Sequence, residues 1–242
     1  MILHIPHASQ GIPSYEGYLL SPDRLREEMH LLTDHYTDEL FRNDEAILIQ
    51  SPCSRIFCDM ERFEDDAQEP MSRAGMGVLY THTDSGEHMR ELNEQLRERI
   101  LDGFYRPHHR RFAAAVDAEL RTTGKSLIVD CHSYPDRPLQ RDLDRRLQRP
   151  DFNIGTDSFH TSKALIEKAS EFFAERGYSL GVDWPYAGSI VPMAHYRKDL
   201  HVQSIMLEVN RRLYMDEASG ERLPQFESMR GVVQDFLRAV EF

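Results

Sequence analysis

Ser126-Leu127-Ile128-Val129-Asp130-Cys131-His132-Ser133-Tyr134 begins as an apolar run and ends in polar residues. The length and composition of this stretch predict a buried strand of the kind found inside an α/β sheet. Ligands of open α/β sheets bind just outside the carboxyl ends of the strands. Asp130 and His132 are two residues apart, so an extended chain directs both side chains to one face. We therefore interpret His132 as a metal ligand around which a functional site is assembled.

The first predicted strand also ends near a histidine. Ile2-Leu3-His4-Ile5 is a short apolar segment that stops at Pro6, and His7 follows it. His4 lies within the strand, where a hydrogen-bonded structural role is expected. His7 lies just past the end of the strand, in the same kind of position as His132.

The predicted strand over residues 202–211 contains an unusual acid. Glu208 stands inside its apolar sequence, and Asn210 shares the face of Glu208. A buried carboxylate is costly unless it is paired or functional. Glu208 is therefore either a catalytic group or the ion-pair partner of an arginine such as Arg211.

A helix is predicted between the first two strands. Ser21 as N-cap, followed by a proline and an acid, marks its start, and apolar residues at helical spacing carry it to about Phe41. Asp34 lies on an adjacent face of this predicted helix. The spacing leaves three roles open for Asp34: a metal ligand, a residue that holds a ligand in place, or a solvated acid.

Residues 55–62 alternate between polar and apolar side chains, which predicts a third strand. Two arginines, Arg55 and Arg62, belong to this segment. They either form ion pairs with Asp59 and Glu61 or bind a carboxylate of a substrate, for which the guanidinium fork is well suited.

The remaining chain alternates helices and strands. Residues 87–121 predict a helix broken near Pro107, in which His109 points inward and His108 outward. Further strands are predicted at 46–50, 152–155 and 178–182, and further helices at 158–176 and 225–242. This alternation predicts a single α/β domain over residues 1–242, with three α/β/α layers and a mostly parallel mixed central sheet.

The acidic balance of the chain limits the classes of partner. Its 242 residues include 41 Asp and Glu against 29 Lys and Arg, a formal net charge of −12. We therefore expect a small-molecule substrate and neither a nucleic acid nor a membrane as partner. No signal peptide or membrane span is expected, and three cysteines without a disulfide pattern favour the cytoplasm.

Two imidazoles, one carboxylate and an open position for water make a catalytic zinc site. An unligated glutamate near that water is the general base of a metal-assisted hydrolase. The compact zinc motif with two histidines on one helix is absent, so the ligands must come from separate elements. A Gly-x-Ser-x-Gly motif and a glycine-rich phosphate loop are also absent, which disfavours a serine hydrolase and phosphate binding.

Five motifs, taken in order, give the chain a resemblance to a known family. They are His4-Ile5-Pro6-His7-Ala8-Ser9, Asp34-His35-Tyr36-Thr37-Asp38-Glu39-Leu40, Ser54-Arg55 with Asp59 and Arg62, Asp130-Cys131-His132-Ser133, and Glu208-Val209-Asn210-Arg211 with Leu213-Tyr214-Met215-Asp216. Together they resemble the N-formylglutamate amidohydrolase (formylglutamate deformylase) family over almost the whole chain. The resemblance implies the phosphorylase/hydrolase-like α/β/α fold shared with zinc carboxypeptidases. It also implies hydrolysis of a formyl amide to formate and a free amino acid, a reaction of histidine degradation.

The resemblance implies roles for individual residues. His132-Ser133-Tyr134 is similar to the strand end that supplies a zinc ligand in carboxypeptidases, and Glu208 is placed like their general base. We expect one Zn²⁺ ion bound by His7, Asp34 and His132, with Glu208 as the catalytic residue. Asp130 is expected to orient His132 rather than to bind the metal. The expected substrate-binding residues are Arg55, Arg62, Asn210 and Arg211.

Two departures from the related patterns concern the metal and the substrate. The His-x-x-Glu spacing of carboxypeptidases reaches Gln10 after His7, so the carboxylate ligand must come from another element, and Asp34 is chosen. Glu61-Arg62 stands where the family usually has Asn-Arg, which leaves the substrate open. The alternative functions are a zinc aminoacylase or exopeptidase acting on another acyl amino acid and a catalytically silent small-molecule binder.

Overall fold

The structure of the protein is a computed structural model that describes residues 1–241. Its strands are β1 (Ile2–Ile5), β2 (Ile47–Gln50), β3 (Ser126–Tyr134), β4 (Phe152–Gly155), β5 (Leu180–Val182) and β6 (Val202–Asn210). Its α-helices are α1 (Pro22–Leu32), α2 (Thr37–Leu40), α3 (Glu94–Ile100), α4 (Arg106–Thr123), α5 (Lys163–Glu175) and α6 (Phe226–Val240). The other helical segments are two 3₁₀ helices, Pro70–Ala74 and Arg211–Leu213, and a π-helical segment, Leu101–Tyr105.

Within residues 1–241, the six strands form one sheet in the order β2-β1-β3-β6-β4-β5. Neighbouring strands are parallel except for β4 and β6, which pair antiparallel. The prediction of a mostly parallel mixed sheet is therefore confirmed. β3 is buried along its whole length and has a partner strand on each side, which explains its nearly continuous apolar sequence.

Alternate residues of the strands contribute to different cores. Leu127 and Val129 of β3 belong to a cluster that includes residues of α5 and α6. Ile128 belongs instead to a cluster with Phe112 and Val116 of α4. Successive side chains of a strand point to opposite faces of the sheet, so each face packs against its own helices. Helices cover both faces, which confirms the α/β/α layers.

The helix predicted to continue to about Phe41 ends earlier than expected. α1 ends at Leu32, and Thr33 has extended backbone angles (φ −71°, ψ 135°). Tyr36 then has a left-handed conformation with a φ of 63°, which a right-handed helix does not contain. Asp34 therefore lies in the turn between α1 and α2, and the prediction that it lies on a helix face was wrong.

The prediction of a strand over residues 55–62 is also wrong, because the chain forms turns there. These turns surround the buried carboxylate of Asp59. That carboxylate accepts hydrogen bonds from the Glu61 N–H at 3.0 Å and from the Tyr80 hydroxyl at 2.8 Å. The alternation of polar and apolar residues therefore reflects a chain that folds around a buried acid and not a sheet face.

The long helix predicted in the middle of the chain is shorter at its start and is continuous past Pro107. Residues 87–93 are not helical, and α3 begins at Glu94. Pro107 lies in the first turn of α4, directly after the π-helical segment. A proline has no N–H for a helical hydrogen bond, and the helix widens before it instead of ending. The predicted orientation of the two histidines is reversed, since His108 is buried and His109 is partly exposed.

The C-terminal part of the chain follows the sequence predictions more closely. β4 has the predicted bounds, whereas β5 is shorter than predicted and α5 begins after an N-cap at Ser162. α6 ends at Val240, and the part of its prediction that concerns Phe242 lies outside the described residues. None of the helices within residues 1–241 is long and apolar enough to cross a membrane.

Candidate metal site and cavity

His7, Asp34 and His132 meet at one edge of the sheet. His7 follows the carboxyl end of β1, and His132 lies near the carboxyl end of the neighbouring strand β3. The Asp34 N–H donates a hydrogen bond to the His7 carbonyl at 3.1 Å, which ties the turn after α1 to the strand end. All three residues are buried, and their side chains form what we call the metal site.

The side-chain atoms of the metal site are spaced as metal ligands. One ligating atom of each residue lies within 4.8 Å of the others. Asp34 Oδ2 is 3.0 Å from His132 Nδ1 and 3.6 Å from His7 Nδ1. His7 Nδ1 is buried without a hydrogen-bond partner among the described residues, which is costly unless a ligand binds there. Two imidazoles and one carboxylate fit a divalent ion such as zinc.

The outer nitrogens of both imidazoles face other carboxylates. His7 Nε2–H donates to Asp59 Oδ1 at 2.8 Å, and His132 Nε2 lies 3.2 Å from Asp130 Oδ1. Histidines that bind metals usually direct their other ring nitrogen to a carboxylate or carbonyl, which fixes the ring. Both Nδ1 atoms are therefore directed at Asp34. The residues present fit a bound ion, and the contact of Asp130 is the one expected of an orienting residue.

Arg211 holds the carboxylate of Asp34 in place. Its guanidinium donates to Asp34 Oδ1 at 3.0 Å, to the Leu31 carbonyl at 3.0 Å and to the Ser133 hydroxyl at 3.3 Å. Burial raises the pKa of Asp34, but the two neighbouring histidines outweigh burial and hold this pKa well below its usual value. The contacts of Arg211 therefore orient a candidate metal ligand, although Arg211 also lines the cavity described below.

Glu208 lies beside the metal site on the neighbouring strand. β3 and β6 are parallel, and His132 is directly opposite Glu208 in their register. Glu208 is buried, and its Oε2 atom has no hydrogen-bond partner in the described part of the chain. Burial raises the pKa of Glu208 to about 8, although the charge of the nearby His132 acts to lower this pKa. A carboxyl oxygen without a partner beside a candidate metal is suited to proton transfer.

A cavity of about 390 Å³ opens onto the metal site and Glu208. Its volume lies in the range of roughly 300–1,000 Å³ that is usual for ligand-binding clefts. Arg55 and Arg62 line this cavity, and both pair with Asp59 Oδ2, at 3.1 Å and 3.6 Å. The Arg62 side chain keeps 24% of its surface exposed, so its guanidinium can also meet a carboxylate in the cavity.

The structure does not bring Asn210 to the cavity with the other candidate residues. Its amide group donates to Asp136 Oδ1 at 3.1 Å and to the Pro150 carbonyl at 3.0 Å. Its amide oxygen accepts from the Arg212 N–H at 3.2 Å. Asn210 therefore fixes the start of the 3₁₀ helix after β6.

Asp59 has a larger role than its sequence pattern predicts. The pattern predicts only an ion pair with the arginines, whereas Asp59 also holds His7. The Tyr80 hydroxyl, which donates to Asp59 Oδ2, accepts a hydrogen bond from Arg55 Nε at 3.2 Å. The available signal is an acid inside an apolar segment, the same signal that singles out Glu208.

The fold and the site define a class: an α/β protein with a buried histidine–aspartate group, suited to a metal ion, at the carboxyl edge of its sheet. The family model for N-formylglutamate amidohydrolase matches residues 1–215 of the chain. The protein belongs to this family.

The chain is also similar to individual proteins. The chain is 27% identical over 234 residues to N-formylglutamate deformylase from Pseudomonas putida, with coverage of 90% of this chain and 82% of the relative. The crystal structure of N-formylglutamate amidohydrolase from Ralstonia eutropha JMP134 matches with a TM-score of 0.84 at 22% identity, over 99% of this chain and 92% of that chain. A gene product from Agrobacterium tumefaciens matches with a TM-score of 0.67 at 20% identity, over 100% and 91% of the two chains. The two structural matches show a shared fold.

Proposed function

We propose that this protein is a metal-dependent amidohydrolase that hydrolyses N-formylglutamate or a related N-formyl or N-acyl amino acid. The products are the carboxylate of the acyl group and the free amino acid. Family membership supports the reaction, and the placement of Glu208 beside the metal site in one cavity is the observation that carries it. Zinc is the proposed ion, because two imidazoles and a carboxylate are a common zinc ligand set. When bound, zinc polarises a carbonyl and lowers the pKa of a water molecule.

Glu208 is the proposed general base and acid. It accepts the proton of the attacking water and transfers it to the nitrogen that leaves as the amide bond breaks. The unpartnered Oε2 atom supports this role, since no protein group within residues 1–241 competes for it. The parallel pairing of β3 and β6 holds Glu208 beside His132, so the base needs no large movement.

Arg55 and Arg62 are the proposed partners of the substrate carboxylates. Asp59 and the Tyr80 hydroxyl hydrogen-bond to Arg55 and fix the orientation of its guanidinium, and Arg62 lies within ion-pair distance of Asp59 and Glu69. A guanidinium fixed in this way binds a carboxylate with less loss of conformational freedom. Arg211 supports the reaction differently, by orienting Asp34.

The first test is hydrolysis of N-formylglutamate by the zinc-loaded protein and by its Glu208→Gln variant. We expect the wild-type protein to release formate and the variant to lose about 10²- to 10⁴-fold in kcat, because proton transfer is removed. The zinc content of the variant should be unchanged, since Glu208 is not a proposed ligand. Full turnover by the variant would contradict the role of Glu208, and no turnover by the wild-type protein would contradict the substrate.

The second test concerns the arginines. Replacing Arg62 with Met should raise KM by about 10-fold or more with a smaller change in kcat, because a contact made to both substrate and transition state is lost. The exposed Arg73, on the neighbouring 3₁₀ helix, is a control with the same loss of charge, and Arg73→Met should leave KM unchanged. Equal effects in both variants would indicate a general electrostatic effect instead of a specific contact.

A second cavity supports a second candidate substrate class. It has a volume of about 450 Å³ and shares six lining residues with the first cavity: Glu61, Arg62, Met71, Leu143, Ala187 and Met206. Apolar side chains form much of its wall: Met60, Phe63, Met71, Leu143, Ile190, Val191 and Met193. An acyl group or amino-acid side chain larger and less polar than that of N-formylglutamate could bury its apolar surface there. A panel of N-formyl and N-acyl derivatives of glutamate, leucine and phenylalanine, compared by kcat/KM, distinguishes the two classes.

Zinc analysis separates an enzyme from a silent binder. A protein purified without added zinc should contain roughly one equivalent or more, and treatment with a chelator should abolish hydrolysis until zinc is restored. We also propose a cytoplasmic location and a place in histidine degradation. The three cysteines are free thiols, which suits a reducing compartment.

A further inference from the structure

We propose that His4, Glu61 and Asp130 form a second divalent-cation site beside the metal site. One ligating atom of each residue lies within 4.8 Å of the others. A tetrahedral ion with bonds of about 2.1 Å holds its ligands about 3.4 Å apart, so small movements of these side chains close them on an ion. His132 separates the two sites, because its Nδ1 atom faces Asp34 and its Nε2 atom faces this second group.

The Nε2 atom of His132 faces the carboxylates of Glu61 and Asp130. It lies 3.1 Å from Glu61 Oε1 and 3.2 Å from Asp130 Oδ1. It is nevertheless without a hydrogen-bond partner of acceptable geometry among residues 1–241, and the His132 residue is only 3% exposed. Buried polar atoms are normally paired. Since the Nε2–H group of His132 pairs poorly with these two carboxylates, a cation bound between them would complete their pairing.

The charges around the second group favour a second cation once His132 is a neutral ligand of the metal site. The ion pairs of Glu61 and Asp130 in the described chain are made with histidines, and neither carboxylate lies within 4.0 Å of a lysine or arginine there. Three of the cavity arginines are paired elsewhere, Arg55 and Arg62 with Asp59 and Arg211 with Asp34. Two carboxylates that converge in a buried place destabilise the fold unless a positive charge accompanies them. His132 supplies that charge when protonated, and a second ion supplies it once His132 binds the first ion as a neutral ligand.

His4 is oriented as metal-binding histidines usually are. Its Nδ1 atom lies 2.8 Å from Asp130 Oδ1, and its Nε2 atom lies 3.0 Å from Nε2 of the buried His108. With Nδ1 on an ion, Nε2–H donates to His108, which then acts as the acceptor. The outer nitrogen of His4 is thus fixed by a neighbour, as that of His7 is fixed by Asp59.

The mixed set of imidazole and carboxylate ligands suits Zn²⁺, Mn²⁺ or Co²⁺. The Glu61 side chain is 17% exposed and lines the 390 Å³ cavity, so an ion can enter from there. The second site does not depend on the proposed hydrolysis, because its occupancy is measured without a substrate.

The test is metal stoichiometry on the intact protein. Wild-type protein, Glu61→Gln and Asp34→Asn are freed of metal with a chelator, loaded with excess ZnCl₂, dialysed against metal-free buffer and analysed by mass spectrometry for zinc. We expect two ions in the wild-type protein and one in each variant. Circular dichroism confirms that the variants are folded, and the substitutions preserve side-chain shape.

Titration with CoCl₂ provides a second measurement, since the visible spectrum of Co²⁺ reports its ligands. Glu61→Gln and Asp34→Asn should give different spectra, because each variant keeps a different site. A wild-type protein that saturates at one ion, a Glu61→Gln variant that keeps two, or an Asp34→Asn variant that keeps none would overturn the proposal. A failure of N-formylglutamate hydrolysis would leave these stoichiometries unaffected and would bear only on the proposed function.

Discussion

Asp59 connects the candidate metal ligands to the candidate substrate-binding arginines. Its Oδ1 atom accepts from His7, and its Oδ2 atom accepts from Tyr80 and pairs with Arg55. Burial raises the pKa of Asp59, but the charges of His7 and Arg55 outweigh burial and hold this pKa well below its usual value. Asp59 therefore remains an anion that can fix the orientation of an imidazole on one side and of a guanidinium on the other.

This arrangement predicts that Asp59→Asn weakens metal binding without removing a metal ligand. We expect about 10- to 100-fold lower zinc affinity, measured by competition with a chromogenic chelator, because His7 loses the carboxylate that orients it. Glu69→Gln is a matched control, since Glu69 is a buried acid near Arg62 that makes no contact with His7. Equal zinc affinity in wild-type protein and Asp59→Asn would contradict this role.

The residues of the site were predictable from the sequence to different degrees. His132 and Glu208 stand out because polar side chains inside buried strands need a reason to be there. Asp34 was chosen by resemblance and by a helical spacing that the structure does not contain. Asp59 could not be assigned to His7, because their contact joins residues that are 52 positions apart. Pairings of this kind depend on the path of the backbone, which side-chain patterns do not determine.

Among the elements, β3 and residues 55–62 show when a sequence pattern predicts a strand correctly and when it does not. β3 is nine residues long and is buried, and the helices that cover its two faces are those expected of an α/β protein. Residues 55–62 have the period of a strand but have no neighbouring strand to pair with in the sheet. A short alternating pattern is compatible with a chain wound around one buried acid, so periodicity alone did not separate the two cases.

A substitution in the helix α6 gives a testable prediction about stability. Gly231 lies within this helix, is exposed, and has open space where a Cβ atom would be placed. Gly231→Ala should therefore raise the free energy of unfolding by about 0.5–1 kcal/mol, because alanine loses less conformational freedom in a helix. Urea denaturation followed by circular dichroism measures the change.

Gly155→Ala is the opposing control for that measurement. A Cβ atom on this residue of β4 would lie 2.1 Å from the Gly188 carbonyl oxygen and 2.4 Å from the Met206 side chain. We expect a loss of about 1–3 kcal/mol, because the backbone must move to relieve the overlap. A Gly231→Ala variant no more stable than the wild-type protein would show that the backbone there is not that of a regular helix.

At the scale of the whole molecule, Glu28 contributes to the way in which stability depends on pH. This residue of α1 accepts a hydrogen bond from the Asp84 N–H at 2.6 Å and is buried. Burial raises the pKa of Glu28 from 4.5 to about 7. The folded state therefore binds this proton more tightly than the unfolded state. The stability that Glu28 contributes is complete below about pH 4.5 and is lost as the pH rises through about 7.

Glu28→Gln should remove this pH dependence. As the pH rises from 5 to 8, the wild-type protein should lose about 2 kcal/mol of its free energy of unfolding relative to the variant, because glutamine does not ionise. Glu27→Gln, on the exposed side of the same helix, should show no such trend. A constant difference between Glu28→Gln and wild-type protein at all pH values would contradict the assignment.

The register between β3 and β6 also has a consequence for how the protein can change. His132 and Glu208 are joined by the backbone ladder of two central strands, whereas residues 61–71 and 187–193 contribute much of the second cavity wall from segments outside the sheet. Substitutions in those two segments can alter the shape offered to a substrate while the separation of His132 and Glu208 stays constant. The proposed proton-transfer residue and most of the second cavity wall thus lie in different parts of the chain. New substrate preferences can be sought by varying the two segments with Glu61 left unchanged.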